Sequence, residues 1–267
     1  RACGHVMKCP HCDVSLSEHN GSRLICHYCG YETVKPQVCP SCGSPHIGGF
    51  KAGTQQIEKV LEKDFPEARV LRMDFDTTRT KDSYEKILAS FSRHEADILV
   101  GTQMIVKGHD FPDVTLVGVI AADLSLNMDD YHCGERTFQL LTQAVGRAGR
   151  GAKPGRAVIQ TYQPEHYSIQ AAATQDYGKF YKEEMSYRML MDYPPAAHMM
   201  TVFGACQDEE LLKKAMNYIE VFIRRVSPKE ELHMIGPAAA SVGKVKDVYR
   251  QVLHLKHVDM VFLTAVR

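Results

Sequence analysis

Two sets of side chains in this sequence have types and spacings that chemistry can use. The first is the run Leu141 to Gly151, L-T-Q-A-V-G-R-A-G-R-G. On a helix, Gln143, Arg147 and Arg150 fall at i, i+4 and i+7, gathering an amide and two guanidiniums on one face. A planar fork that is always charged suits a transferring phosphoryl group, whose transition state spreads negative charge over its oxygens. Gly146, Ala148, Gly149 and Gly151 keep bulk away from the arginines and end the helix just past the second one. For two arginines alone, an exposed helix end with a favourable C-terminal charge is the plainer reading.

The second set is metal-ligating. Of nine cysteines, seven stand in the first 42 residues: Cys3, then Cys9-Pro-His-Cys12, Cys26-His-Tyr-Cys29 and Cys39-Pro-Ser-Cys42. Two-residue spacing lets both thiolates of a knuckle turn onto one tetrahedral ion, and two knuckles close a four-sulfur zinc site. Cys9, Cys12, Cys26 and Cys29 therefore make one complete site, spanned by a segment able to fold as a hairpin. Cys39 and Cys42 supply one knuckle of a second site. Cys3 is its third ligand, which nests the first site inside the loop the second closes; the fourth ligand is expected upstream, with His5 or water as substitutes. A sequential scheme that gives Cys3 to the inner set leaves the third knuckle unexplained. His11, His19 and His27 are expected to be solvated, since each site is satisfied without them. A closed four-sulfur site offers no open position for catalysis, so its output is shape. Cys133 and Cys206 are expected to be small buried thiols.

These residues need a scaffold, and the chain is long enough to provide one. Its 267 residues, 44% hydrophobic, accommodate about two domains with real cores. The formal charge is zero and the pI about 7.3, so any nucleic-acid contact must come from local patches. Neither a run of about 18 apolar residues nor a charged-then-apolar start is present, so a soluble cytoplasmic protein is the expectation.

The hydrophobic period changes after Lys51. Thr54 can cap a helix with Ile57, Val60, Leu61 and Phe65 on one stripe, which Pro66 stops. Ala68 to Phe75 reads as a strand and Lys81 to His94 as a second helix. Asp97 to Gly101 and Val114 to Ala121 are continuous apolar runs, the mark of parallel strands covered on both faces. Tyr131 to Arg150 is the long helix, and Gly155 to Tyr162 returns as a strand. Helix alternating with buried strand means an α/β domain whose functional residues gather beyond the carboxyl ends of the strands. There stand Gly101-Thr-Gln-Met-Ile-Val-Lys-Gly-His-Asp-Phe-Pro112, bearing Thr102, Gln103, Lys107, Gly108 and Asp110, and after the next strand Asp123.

Glu165 to Met191 continues helical until Tyr193-Pro-Pro195 breaks it. Beyond lie strand 199–205, helix 208–226 with Leu212, Ala215, Met216, Ile219 and Ile223 inward, and strands 232–235 and 248–255. Lys244, Lys246, Arg250 and Lys256, with Tyr249 interleaved, could contact phosphates and stack a base, although the wet face of a strand is the favoured reading. The domain expectation is a zinc module at 1–48, an α/β lobe at 49–192 and a C-terminal α+β domain at 193–267.

The string Q-x-x-G-R-x-G-R resembles the sixth motif of superfamily 2 helicases, whose second RecA-like lobe reaches paired arginines onto ATP. The knuckles C-P-H-C, C-H-Y-C-G and C-P-S-C-G, with R-M-D-F-D-T-T, G-T-Q-M-I-V-K-G-H-D-F-P-D-V-T-L-V and E-R-T-F-Q-L-L-T-Q-A-V-G-R-A-G-R, extend the resemblance to the bacterial primosomal replication-restart helicases from Cys3 to about Pro195. Ala144-Val145 reverses the order expected in that family, and Met128 replaces an expected proline. The resemblance implies an ATP-dependent 3′ to 5′ DNA helicase, with Arg150 as the finger and Arg147 and Gln143 beside it. It further implies Gly108 and Asp110 on the ATP side, and Thr102, Gln103 and Lys107 on the DNA side. Two zinc ions, ATP and Mg²⁺ are the implied cofactors. Branched and single-stranded DNA, primosome proteins and single-strand DNA-binding protein are the implied partners of a monomer. The sequence contains no G-x-x-x-x-G-K-S/T and no D-E-x-H box, so this chain alone is expected to hydrolyse no ATP. The competing expectation is a zinc-knuckle DNA- or protein-binding module on an α/β scaffold without motor function.

Overall fold

The computed structural model describes residues 3–19, 22–47, 53–78, 80–106, 111–227 and 232–265. Two compact units emerge, Phe50–Glu184 and a second that joins Arg1–Gly49 to Met185–Arg267.

The cysteine-rich start forms β1 (Ser17–His19), β2 (Arg23–Ile25) and β3 (Glu32–Val34), an antiparallel sheet in that order. β1 and β2 lie between the first two knuckles and pair Ser17 with Ile25, the expected hairpin. Leu24 is buried beneath them.

The unit Phe50–Glu184 alternates helix and strand. In order come α1 (Thr54–Asp64), β4 (Val70–Met73), α2 (Lys81–Ser92), β5 (Ile98–Gly101), a 3-10 turn (Gln103–Val106) and β6 (Leu116–Val119). Then follow α3 (Asp123–Leu126), α4 (Cys133–Val145), β7 (Arg156–Ile159), α5 (Tyr167–Thr174) and α6 (Tyr177–Leu190), the last running on into the other unit. α2 starts where a capping box forms, Thr80 and Ser83 satisfying each other's backbone amides. Thr54 was expected to cap α1, but Gly53 is the N-cap; the Thr54 hydroxyl instead donates to the Asp74 carboxylate.

The strands pair in parallel, β4 with β5 and β6 with β7, but as two separate two-stranded pieces. The expectation that both faces are covered fails at β6, where Leu116 is 62% exposed. Val119 and Ile159 turn inward onto Ala122, Leu126, Phe138, Leu141, Ile169, Ala171, Ala172 and Phe180. In that core Phe138 stacks on Phe180 with ring centroids 4.1 Å apart. Burying each such ring contributes on the order of 1.5–3 kcal/mol, enough to hold α4 against α5 and α6.

Two predicted helices are shorter than expected. α4 stops at Val145 with Gly146 as its C-cap, and the 165–191 stretch breaks at Gln175, which takes a left-handed φ of 54° between α5 and α6. Glycine is about 1 kcal/mol less favourable than alanine inside a helix, so Gly146 and Gly149 so close together end one.

The C-terminal part comprises β8 (His198–Cys206), α7 (Glu209–Val226), β9 (His233–Val245), β10 (Val248–His257) and α8 (Met260–Ala265). Its sheet is antiparallel, ordered β8-β10-β9. Asp208 caps α7 by accepting from the Leu211 amide at 3.0 Å, while Glu209 and Glu210 open the helix and Arg224 and Arg225 close it. Leu212, Met216 and Ile223 are buried against Leu253 and Leu255, with Ile219 beside them. Ala215, expected inward, is exposed because it lies one helical step off that stripe. β9 runs far past the expected 232–235, since pairing with β10 recruits a segment poor in strand formers, Ala238 opposite Val252 and Lys244 opposite Tyr249. Cys133 and Cys206 are half-buried rather than fully buried.

Candidate functional site

Because α4 ends at Val145, the arginines do not share its face. Gln143 is exposed on the last turn of the helix, while Arg147 and Arg150 stand on the turn that follows. That turn is fixed by backbone. Gly149 has φ +74°, donates its amide to the Val114 carbonyl at 2.9 Å, and lies so close to Gly155 that a Cβ would come within 2.3 Å of its nitrogen. The turn is thereby bound to the segment leading into β6 and to the entry of β7. Arg147 is half-buried; Arg150 is exposed, its Nε donating to the Gly146 carbonyl at 2.6 Å. A guanidinium resting on a carbonyl at a helix C-terminus is oriented by that contact.

Beyond the carboxyl end of β5, Thr102 and Gln103 are both exposed. Lys107, Gly108 and Asp110 lie outside the described residues. Asp123 is buried, accepting from the Thr161 hydroxyl at 2.7 Å and the Tyr162 amide. The Thr161 hydroxyl holds its carboxyl below the usual carboxylate range, with the Tyr162 amide assisting against burial. Asp123 thus ties the end of β6 to the end of β7.

Sequence reasoning missed the turn after β4. The Asp74 carboxylate accepts from the Asp76 and Thr77 amides at 3.0 Å each, and its carbonyl accepts from the Thr78 hydroxyl at 2.6 Å. Burial works against its ionised form, yet the Thr54 hydroxyl, the Thr77 amide and the Arg72 guanidinium hold its carboxyl below the ordinary range. This over-determined turn presents Phe75 at 79% exposure. In register, Met73 pairs with Gly101, so Phe75 and Thr102 emerge at the same end of the β4–β5 pair. The available signal was an aspartate followed three and four residues on by threonines, the pattern of a side chain that bonds its own backbone.

The seven cysteines of the start gather into two clusters. The sulfurs of Cys9, Cys12, Cys26 and Cys29 lie within 4.8 Å of one another, and so do those of Cys3, Cys39 and Cys42. Tetrahedral zinc with Zn–S of about 2.3 Å requires sulfurs about 3.8 Å apart; Cys9 to Cys29 and Cys3 to Cys39 are each 3.6 Å. The donor chemistry and the spacing fit zinc. Gly30, at φ +80°, turns the second knuckle so that its amide reaches the Cys26 carbonyl at 2.9 Å. Burial pushes the Cys9 thiol up to about 12. Burial also opposes ionisation of Cys26, but the Cys29 and Tyr28 amides bring it down to about 7. The knuckle backbone thus favours one thiolate in advance of metal, and metal binding must drive off the protons of the others. His19 and His27 contact each other, exposed, at 3.3 Å; His11 instead pairs with Asp247 at 2.7 Å.

Two of the four C-terminal cations are committed elsewhere. Lys256 is 1% exposed, donating to the Met191 carbonyl at 2.7 Å and lying 3.5 Å from the Tyr193 ring centroid; burial pushes its ammonium below the ordinary lysine range. Lys244 donates to the Pro10 carbonyl at 2.9 Å. Tyr249 packs against the core of the C-terminal sheet. Alternation along a strand marked these as polar; it could not mark which ones a second segment would take up.

Comparison with known proteins bears on all of these sites. A family profile described as the PriA DNA helicase Cys-rich region (CRR) domain matches residues 9–33, and one described as the helicase conserved C-terminal domain matches residues 48–152. The chain is 47% identical over 268 residues to the replication restart protein PriA of Bacillus subtilis (strain 168), covering 100% of this chain and 33% of that protein. It is 44% identical over 262 residues to the replication restart protein PriA of Synechocystis sp. (96% and 31% covered) and 37% over 259 residues to that of Thermotoga maritima (97% and 34%). The chain therefore spans about a third of the length of the curated relatives it matches.

Proposed function

We propose, from a chain that belongs to the PriA family of replication restart proteins, that it is the part of an ATP-driven 3′ to 5′ DNA helicase that senses nucleotide with Arg150 and grips one DNA strand. Such a protein acts on branched DNA at stalled forks, with primosome proteins and single-strand DNA-binding protein as partners, as a cytoplasmic monomer. Among the described residues no helix is long and apolar enough to cross a membrane. The module assignment is a zinc part at 1–48, a RecA-like second lobe at 49–192 and a C-terminal domain at 193–267.

The observation that carries the reading is the G-R-A-G-R turn. It is locked by Gly149 against Gly155 and holds the exposed Arg150 oriented on the Gly146 carbonyl. A scaffold has no need of a charged fork fixed in this way; a motor that must neutralise a phosphoryl group once per cycle does. Arg147 supports it, with Gln143 alongside from the end of α4. Gly108 and Asp110 serve the nucleotide side. Thr102, Gln103 and Lys107 bind the strand's phosphates, and Phe75, at the same end of the β4–β5 pair, stacks on a base. ATP and Mg²⁺ are held chiefly by a lobe whose phosphate-cradle motif this sequence does not contain, so the chain by itself turns over no ATP.

The test is made in the full-length protein. Arg150→Ala is expected to lower DNA-stimulated ATP turnover by ~10³-fold or more and to abolish unwinding while zinc content stays the same. Turnover within a few-fold of the parent ends the motor reading for this turn, and leaves the binding-module reading in its place.

A further inference from the structure

β9 and β10 are joined by the two residues Lys246 and Asp247, with Val245 paired to Val248. Both take positive φ, 52° and 60°, the pattern of a type I′ turn, where Asn-Gly or Asp-Gly is the favoured pair. Lysine and aspartate pay strain in that region, and such strain persists where the surroundings over-determine it. Here the surroundings are the first zinc knuckle. The Lys246 amide donates to the Cys12 sulfur at 3.3 Å. The Asp247 amide donates to the His11 carbonyl at 2.9 Å, and the Asp13 amide donates back to the Lys244 carbonyl at 2.8 Å. The Asp247 carboxylate holds the His11 ring at 2.7 Å. Val245, 7% exposed, is packed in one cluster with Cys9, Cys12 and Cys26. A shallow groove of about 380 Å³ follows the seam, lined by His11, Cys29, Gly30, Tyr31, Lys246 and Asp247.

We infer that the Lys246–Asp247 turn is a working part of the inner metal centre: its amide is the outer hydrogen-bond donor to the Cys12 thiolate, and it makes metal occupancy and the seating of the C-terminal hairpin a single equilibrium. A thiolate on zinc keeps lone pairs that outer donors neutralise and orient, and such partners set affinity together with the ligands. The donor here comes from a segment 234 residues away in sequence. With metal bound, the knuckle is rigid and the strained turn is held; with metal lost, the Cys12 acceptor moves and the turn has nothing to offset its φ values. The inference rests on reading Cys9, Cys12, Cys26 and Cys29 as a zinc set.

Cadmium-113 loaded into the whole chain provides the test. Correlation of the metal with protons is expected to show the cysteine β-protons, which certifies the four-sulfur site, together with a cross-peak to the Lys246 amide through its hydrogen bond to sulfur. Cysteine peaks without the Lys246 peak overturn the inference and leave the zinc reading intact; absence of the cysteine peaks overturns both. Amide exchange is the second arm. Stripping the metal with a chelator is expected to speed exchange at the Lys246 and Asp247 amides at least about tenfold, while α2 and β5 of the other unit are unchanged. Equal exchange with and without metal overturns the coupling. Asp247→Ala is expected to raise the zinc dissociation constant by about tenfold, whereas Lys246→Asn, which tolerates positive φ and keeps the amide, leaves it within about twofold; an unchanged constant in Asp247→Ala counts against the inference.

Discussion

The zinc-bearing unit and the arginine-bearing unit solve different problems. In the first, every donor of the inner site comes from this chain, four sulfurs within 4.8 Å of one another, with a distant hairpin turn closing over one of them. In the second, the end of α4, a glycine-locked turn and two strand-end loops hold exposed groups, Gln143, Arg150, Thr102, Gln103 and Phe75. The closed site is satisfied within itself and its contribution is rigidity. The open one consists of exposed groups that, on the proposed function, a nucleotide and a DNA strand would meet. The difference separates residues whose loss should cost folding from residues whose loss should cost only work.

Cys26→Ser is the largest perturbation of that contrast. Structural zinc in small modules is worth ~10 kcal/mol or more of folding free energy, so the variant should lose one zinc equivalent and the fold of residues 9–34. Metal analysis with circular dichroism checks it. Retention of both zinc content and structure would erase the distinction. In the full-length protein the same variant should keep residual ATP turnover if the zinc part is a platform.

Gly149→Ala comes next. Its φ of +74° and a Cβ 2.3 Å from the Gly155 nitrogen should cost ~1–3 kcal/mol, read as a lower denaturant midpoint for the unit Phe50–Glu184. A silent substitution would mean that the arginine turn is not held as described. Phe75→Ala should leave that midpoint in place, because the ring is exposed, and weaken single-stranded DNA binding of the full-length protein by ~1–3 kcal/mol. A fluorescence titration showing parental affinity removes Phe75 from the strand path.

The smallest effect concerns acid. Asp74 and Asp123 both have carboxyl groups held below their ordinary value. A depressed folded value means stability that is present above the unfolded pKa of about 3.9 and is lost as pH falls through the folded one. Denaturant midpoints should therefore drop below about pH 4, and Asp123→Asn, already weaker at neutral pH, should show a shallower fall. Equal slopes for the two proteins would remove Asp123 from the account.

What could be read in advance follows how local the determinants are. The three knuckles, the hairpin between the first two and the Leu212-Met216-Ile223 stripe are each written within a few residues, and each formed. The arginine face is not a helical one because Gly146 and Gly149, which clear space, also stop the helix, leaving Gln143 on α4 and the two guanidiniums on the turn after it. Strands read as covered on both faces pair in parallel, yet Leu116 stands bare, since an apolar run does not say how many neighbours will arrive. β9 from 236 to 245 gave no strand signal; its partner imposed the conformation. The embrace of Cys12 by Lys246 links residues too far apart for any local pattern, and its one trace was a turn made of the wrong residues.

The buried ammonium of Lys256 carries a consequence for how this protein would respond to salt. Four cations mark the C-terminal hairpin, but one is spent on the Met191 carbonyl and the face of Tyr193 and another on the Pro10 carbonyl. The counterions released on meeting a polyanion are those condensed on it, one for each phosphate that a protein cation neutralises, and an ammonium held inside the fold reaches no phosphate. A tally of lysines along this surface therefore overstates its ionic-strength dependence by about two charges, and a neutral chain has correspondingly fewer to spare.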